Sequence, residues 1–262
     1  FSTELDDGAW LVEVRPPVNA TGPVDDAIAG ERIRFGDGAV LTLRAPYSSG
    51  VASPRLWYAT LAGARVRDML RRFGRPIAYA YIEGVWPLSA YQTVFARHPG
   101  SAEMPSAARP FSHRLVSRLV ADGVGFAPVL LHTGVSSLEP GEPPIPERYA
   151  VPASTAARVN ATRAAGGRVI AVGTTAARAL ESTADAAGHV SAGAGWTDLL
   201  LGIDRPARTL DGLITGWHTA GASHLQLLET VAGVERVERA YDEALAGGYL
   251  WHEFGDSCLL LR

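Results

Sequence analysis

Apolar and polar positions alternate with a period of two over most of the first 88 residues, the signature of half-buried strands. Trp10-Leu11-Val12-Glu13-Val14-Arg15 alternates and stops at Pro16-Pro17. Arg32-Ile33-Arg34-Phe35 runs into the turn Gly36-Asp37-Gly38, and Ala39-Val40-Leu41-Thr42-Leu43-Arg44 runs out of it, which is the pattern of a hairpin. Leu56-Trp57-Tyr58-Ala59-Thr60-Leu61 supplies another strand, and the stretch from Val66 to Phe73, closed by Gly74, reads as a short helix. Strands this closely spaced predict a small β-barrel-like or sandwich module over residues 1–88.

Beyond Pro87 the pattern changes to helices alternating with continuous apolar runs. A helix is expected over His113–Asp122, a strand over Gly125–His132, and a helix over Ala153–Ala165 capped by Ser154 or the preceding turn. Arg168-Val169-Ile170-Ala171-Val172-Gly173 then reads as a buried strand, and Thr175–Ala186 as the helix after it. Continuous apolar strands alternating with helices predict an α/β domain over residues 89–262, built on a mostly parallel sheet covered on both faces. Ligands of such sheets sit at the carboxyl ends of strands. Gly141-Glu142-Pro143-Pro144-Ile145-Pro146 reads as a stiff, proline-rich loop.

With 262 residues, 47% hydrophobic and 19% charged, the chain can bury a sizeable core. No run approaches the roughly 20 apolar residues that cross a bilayer, so a soluble, cytoplasmic protein without a membrane partner is expected. The chain begins at Phe1 in a strand pair already under way, which suggests further residues upstream. The single cysteine, Cys258, excludes an internal disulfide, a Cys-ligated zinc knuckle and a three-Cys iron–sulfur cluster within this sequence. All 24 basic residues are arginine, so neither a phosphate-loop lysine nor a Schiff-base lysine exists here. A net charge of −3 gives no global attraction for nucleic acid, and a nucleic-acid partner requires a local basic patch. Arg65, Arg67, Arg71, Arg72 and Arg75 form one such group, or else a solvated helix face.

The strongest local signal for chemistry is Val172-Gly173-Thr174-Thr175-Ala176-Ala177-Arg178-Ala179-Leu180-Glu181-Ser182. A strand ending in glycine, two threonine hydroxyls and exposed N–H groups at a helix start suit an anion such as a carboxylate. The competing reading is an ordinary strand–loop–helix, with Thr175 as cap and Arg178 pairing Glu181 one turn on. Polar groups also stand at strand ends in Leu131-His132-Thr133-Gly134, Glu147-Arg148-Tyr149, Gly195-Trp196-Thr197-Asp198 and Leu213-Ile214-Thr215-Gly216-Trp217-His218. His132 and His218 are candidates for an imidazole at a strand tip, and Glu147 and Asp198 for general acid or base work. Each is equally open to a structural role. No metal-ligand spacing such as HExxH occurs, so no metal is expected. No GxSxG elbow and no GxGxxG after a strand are present, which leaves hydrolase and nicotinamide-dehydrogenase readings without their defining element.

Taken in order, these segments resemble the S-adenosylmethionine:tRNA ribosyltransferase-isomerase family of queuosine biosynthesis. Tyr91-Gln92-Thr93-Val94-Phe95-Ala96 resembles the family's YQTVYA, and Gly100-Ser101-Ala102-Glu103-Met104-Pro105-Ser106-Ala107 its GSVAAPTA. Gly173, Thr174, Thr175, Arg178, Leu180, Glu181 and Ser182 are similar to the VGTTxxRxLES block, Gly195-Trp196-Thr197-Asp198 to GWTD, and Leu213-Ile214-Thr215 with His218 to LITNFH. Val231-Ala232-Gly233 with Tyr241, and Tyr249 with Gly255-Asp256, complete the match over about Tyr91 to Leu260.

The resemblance implies an α/β catalytic domain with an inserted β-barrel, and transfer with rearrangement of the ribosyl unit of S-adenosylmethionine onto 7-aminomethyl-7-deazaguanine in tRNA, giving epoxyqueuosine with loss of adenine and methionine. Such a reaction needs a base beside the sulfonium, a donor assisting adenine departure and exclusion of water. The roles implied are His132 or Glu147 as base, His218 or Asp198 as donor, and Gly173, Thr174, Thr175, Arg178, Trp196 and Thr215 around S-adenosylmethionine. All of these loops are expected to converge on one pocket.

Departures cluster in the motifs. Arg109-Pro110-Phe111 stands where the family has a histidine in its LHF element, His132-Thr133-Gly134-Val135-Ser136-Ser137-Leu138 replaces HVGAGTF, and His252-Glu253-Phe254-Gly255-Asp256-Ser257 replaces FSYGDA. LITNFHLP has become Leu213-Ile214-Thr215-Gly216-Trp217-His218-Thr219-Ala220. Such clustering keeps open a paralogue that uses a small-molecule amine as acceptor, and a silent protein that only binds a nucleotide.

Overall fold

The computed structural model describes residues 1–262 except 17–21, 37, 48–53, 78–81, 83, 136–144, 219–222 and 253. The expected stiff loop at 141–146 therefore lies largely outside the described residues, as do position 37 of the hairpin turn, residues 136–138 and 219–220 of the departing motifs, and residue 253.

The described chain divides into two compact units. One comprises 1–88, 100–103 and 133–135, and the other 89–99, 104–132 and 136–262. The first holds β1 (Thr3–Glu4), β2 (Trp10–Glu13), β3 (Arg32–Arg34), β4 (Val40–Pro46), β5 (Leu56–Ala62) and α1 (Val66–Phe73). Its strands form one antiparallel sheet in the order β1-β2-β5-β4-β3. The hairpin is present, with Arg34 opposite Val40. Alternation places Trp10, Val12, Leu41, Leu43, Trp57 and Ala59 on the buried face, where Val66 of α1 joins them. Among the described residues the edge strands β1 and β3 do not pair with each other, so the sheet is open rather than a closed barrel.

The second unit contains α2 (His113–Ala121), β6 (Leu130–His132), β7 (Glu147–Val151), α3 (Ala153–Ala164), β8 (Ile170–Val172), α4 (Thr174–Ser182), β9 (Gly193–Thr197), β10 (Gly212–Gly216), α5 (Ser223–Ala232), α6 (Val234–Ala246) and β11 (Ser257–Leu261). These strands make two sheets of three, β6-β7-β9 and β11-β10-β8. The expectation of a mostly parallel sheet is corrected here. Among the described residues of this unit only β8 and β10 run parallel, and the other pairings are antiparallel. Part of the reason is that α3 and α4 connect strands of different sheets: α3 leads from β7 to β8 and α4 from β8 to β9. Apolar continuity reports burial on both faces and says nothing about which strand is the neighbour.

The strand expected over Gly125–His132 shrinks to Leu130–His132. Pro128 within it has no N–H to give a ladder. β8 is likewise a short edge strand, with Ile170 exposed. Helix α3 starts after Pro152 with no side-chain cap, so Ser154 does not serve as one. The second core gathers on Leu210, Leu213 and Leu228, all without solvent contact, between the β11-β10-β8 sheet and the inward faces of α4 and α5.

Candidate functional site

The parallel pair fixes the site. Because β8 and β10 run in the same direction, their carboxyl ends emerge at the same edge, and the Gly173 N–H donates to the Ile214 carbonyl at 2.9 Å across it. Gly173 turns the chain with φ +96 and ψ 145, a combination essentially confined to glycine, and α4 begins at once. No side chain caps that helix start, which leaves its first N–H groups as donors for an anion. Thr174 is buried beside them.

On the other arm, the Thr215 hydroxyl lies 3.1 Å from His218 Nε2, and the His218 backbone N–H donates to the Tyr241 hydroxyl of α6. β11 pairs with β10 through Gly216 opposite Ser257, which brings the preceding loop to the same edge, and the His252 N–H donates to the Trp217 carbonyl. The result is a stack of three imidazoles. His224, in the first turn of α5, lies face to face with His218 at 4.4 Å and 5°, and His252 lies 5.3 Å from His218. Burial pulls the His218 pKa down to about 3, with help from His224 and His252. His224 is pulled down to about 4 by burial and by the charges of Arg178 and His252. All of this holds the His218 and His224 rings neutral near pH 7.

Arg178, one turn into α4, is engaged rather than open. Its Nη1 donates to Glu147 Oε2 at 2.5 Å, its Nε to the Leu199 carbonyl at 2.8 Å and its Nη2 to the Thr197 carbonyl at 3.3 Å. Both side chains of the pair are little exposed, at 13% and 12%. Thr197 joins the same network through a hydroxyl contact with Ser182. Arg178 thus ties α4 to the ends of β7 and β9. Glu181 does not pair with Arg178 either: it is 1% exposed, accepts from the Arg208 and Thr209 N–H groups, and meets Arg205 at 3.3 Å.

The β6-β7-β9 sheet divides the remaining candidates. Glu147 stands opposite Thr197, whereas His132 stands opposite Arg148 and Arg148 opposite Trp196. Side chains alternate along a strand, so His132 and Trp196 face away from Glu147 and Thr197. Arg148 lies over the Trp196 ring at 5.9 Å, and His132 Nε2 is shut off from solvent. Asp198 lies just past the end of β9 and is exposed.

Gly173, Thr174, Thr175, Thr215 and His218 are therefore brought to one edge, and the Arg178–Glu147 pair reaches that edge through His224. His132 and Trp196, on the other face of the β6-β7-β9 sheet from Glu147, are not brought to it. Sequence reading missed His224 and His252. His224 stands six positions after His218 with no motif around it, and only the turn of α5 back over β10 discloses its role.

A family model described as queuosine biosynthesis protein matches residues 4–260. The chain belongs to this family. It is 36% identical to the S-adenosylmethionine:tRNA ribosyltransferase-isomerase of Symbiobacterium thermophilum, over 98% of this chain and 75% of that protein. The enzyme of the same name from Methylobacterium sp. is 36% identical, over 89% of this chain and 70% of its own. Among solved structures, the S-adenosylmethionine tRNA ribosyltransferase of Thermotoga maritima shares the fold with a TM-score of 0.51 and 24% identity, over 90% of this chain and 67% of that one. Among the described residues no helix is long and apolar enough to cross a membrane, and no three His, Cys, Asp or Glu side chains are grouped to hold a metal ion.

Proposed function

We propose that this chain is an S-adenosylmethionine:tRNA ribosyltransferase-isomerase, with S-adenosylmethionine as co-substrate and a 7-aminomethyl-7-deazaguanine in tRNA as acceptor. Two things support it: membership of the family, and the meeting of the uncapped α4 start with Thr215 and His218 at the shared edge of β8 and β10.

In this reading the methionine carboxylate lies on the N–H groups of Thr174 and Thr175, where helix polarity and free donors favour an anion. A carboxylate there leaves the sulfonium and ribose toward Thr215 and His218. The neutral His218 ring is poorly suited to hold a proton as imidazolium, because its surroundings penalise that charge. It suits instead a neutral hydrogen-bond donor to the departing adenine. In this reading Nε2 accepts the Thr215 hydroxyl proton, which puts the ring N–H on the other nitrogen, available to the purine. Arg178 and Glu147 hold each other, and their task is to set the position of α4 and carry positive charge near His224. His132, Trp196 and Asp198 receive no chemical step.

We also read the five-stranded unit as the family's inserted module; the chain returns to it at 100–103 and 133–135, as it does in a non-contiguous domain. The test is product analysis. Incubation with S-adenosylmethionine and tRNA carrying the deazaguanine is expected to release adenine and methionine and to raise the tRNA mass. Release with a small amine alone would redirect the assignment to a small-molecule acceptor, and no release under either condition would end it.

A further inference from the structure

A chain of net charge −3 that acts on tRNA must concentrate its positive charge somewhere. The arginine group of α1 does so poorly. Arg67 is paired with Glu4 at 2.8 Å and Arg71 with Asp68 at 3.4 Å.

The second unit offers a better surface. Between 89 and 99 and between 104 and 121 the sequence holds Arg97, Arg109, Arg114 and Arg118, with His98 and His113, and no Asp or Glu. None of the four guanidinium groups meets a carboxylate among the described residues. Arg114 and Arg118 are one turn apart on α2, a helix in which no residue is buried. The two stretches are held together by Phe95, Phe111 and Phe126, whose ring centroids lie 5.7 to 6.3 Å apart.

Arg109 connects this surface to the site. Its guanidinium lies 4.4 Å above the Phe254 ring, which Tyr91 meets edge-on at 5.0 Å, so the charge is held in place while it remains exposed. Two residues before it, Ala107 lies 3.8 Å from where a side chain on Gly173 would start. Arg109 also lies in the Arg109-Pro110-Phe111 segment that stands where the family has LHF, so an arginine replaces an uncharged residue there.

We propose that Arg97, Arg114 and Arg118 form the track on which the tRNA phosphate backbone lies, with Arg109 contacting a phosphate at its inner end, beside the helix start that holds S-adenosylmethionine. This rests on the tRNA reading above. Guanidinium groups free of carboxylates suit phosphate, the stacked Arg109 is held in place for it, and contacts of this kind position the nucleic acid without reading its sequence.

The experiment uses the full chain and tRNA carrying the deazaguanine, with binding followed by fluorescence anisotropy across a salt series and S-adenosylmethionine binding by calorimetry. R114A/R118A is expected to weaken tRNA binding at least tenfold at low salt and to flatten log K against log salt by about 1.4 to 1.8, since each of the two lost phosphate contacts removes about 0.7 to 0.9. R109A is expected to raise KM for tRNA with S-adenosylmethionine affinity unchanged, and R67A/R71A to leave tRNA binding as in the wild type. Wild-type tRNA affinity and salt slope in R114A/R118A, with the wild type modifying tRNA, would overturn this surface and leave the enzymatic reading intact. A wild type that neither binds nor modifies tRNA would overturn both.

Discussion

Replacement of Arg178 by methionine removes three hydrogen bonds at once and takes the guanidinium from beside the Glu147 carboxylate, which is only 12% exposed. Breaking a buried ion pair from one side costs about 3–5 kcal/mol, and the slight exposure here moves the expectation to the lower end, about 3 kcal/mol. The carbonyls of Leu199 and Thr197 lose a donor each, so the loss is not smaller than that. For a chain of this size about 3 kcal/mol corresponds to a fall of roughly 6–12 °C in Tm. The assay is urea and thermal unfolding of Arg178→Met, Glu147→Leu and the double variant. Two apolar residues of similar volume no longer strand a charge, so the double variant is expected to recover at least half of the loss. If either single variant stays within about 0.5 kcal/mol of the wild type, the pair is not a clamp, and Arg178 returns as a candidate for direct contact with the methionine carboxylate.

Acid stability follows from the imidazole stack. Folded pKa values of about 3 and 4 for His218 and His224 lie below the ordinary 6.5, so the unfolded chain binds more protons between these limits and stability rises with pH there. Their contribution is complete above pH 6.5 and is lost as pH falls toward 4; at pH 5 the loss is on the order of 1–2 kcal/mol after allowance for remaining solvent contact, and His224→Gln should remove part of the slope. Gly173→Ala places a side chain at φ +96 and should cost about 1–3 kcal/mol and weaken S-adenosylmethionine binding, as read by unfolding and calorimetry. Leu213→Ala opens a cavity in the second core and should cost about 2–5 kcal/mol in urea unfolding, with one cooperative step retained. Burial pushes the Cys258 thiol up to about 11, so in the native protein at pH 8 a thiol reagent should react far more slowly than with the unfolded chain.

The elements set by local periodicity were legible in advance. Alternation named β2, β4 and β5, and the Gly74 stop gave α1 its end. The buried strand followed by Gly173 and two threonines marked the start of α4, because only glycine takes the conformation that turns the chain there. Pairing was not legible. Whether β10 runs beside β8 or between other strands depends on contacts over some forty residues, and apolar continuity is the same in either case. The site was legible to the same extent. Thr215 and His218 fall three residues apart on one strand end, a local fact, whereas the Arg178–Glu147 pair joins α4 to a strand 31 positions earlier. Its sequence competitor, the Arg178–Glu181 pair at helical spacing, loses because Glu181 points inward to the Arg208 and Thr209 N–H groups. His132 and Glu147 looked interchangeable along the chain; the one-residue alternation of β7 places them on opposite faces of a sheet.

The central claim is that the edge shared by β8 and β10 binds S-adenosylmethionine, and a crystal structure of the protein with that ligand tests it most directly. The account predicts density with its carboxylate on the Thr174 and Thr175 N–H groups and its nucleoside against Thr215 and His218. Density on the opposite face of the β6-β7-β9 sheet, around His132 and Trp196, would contradict it.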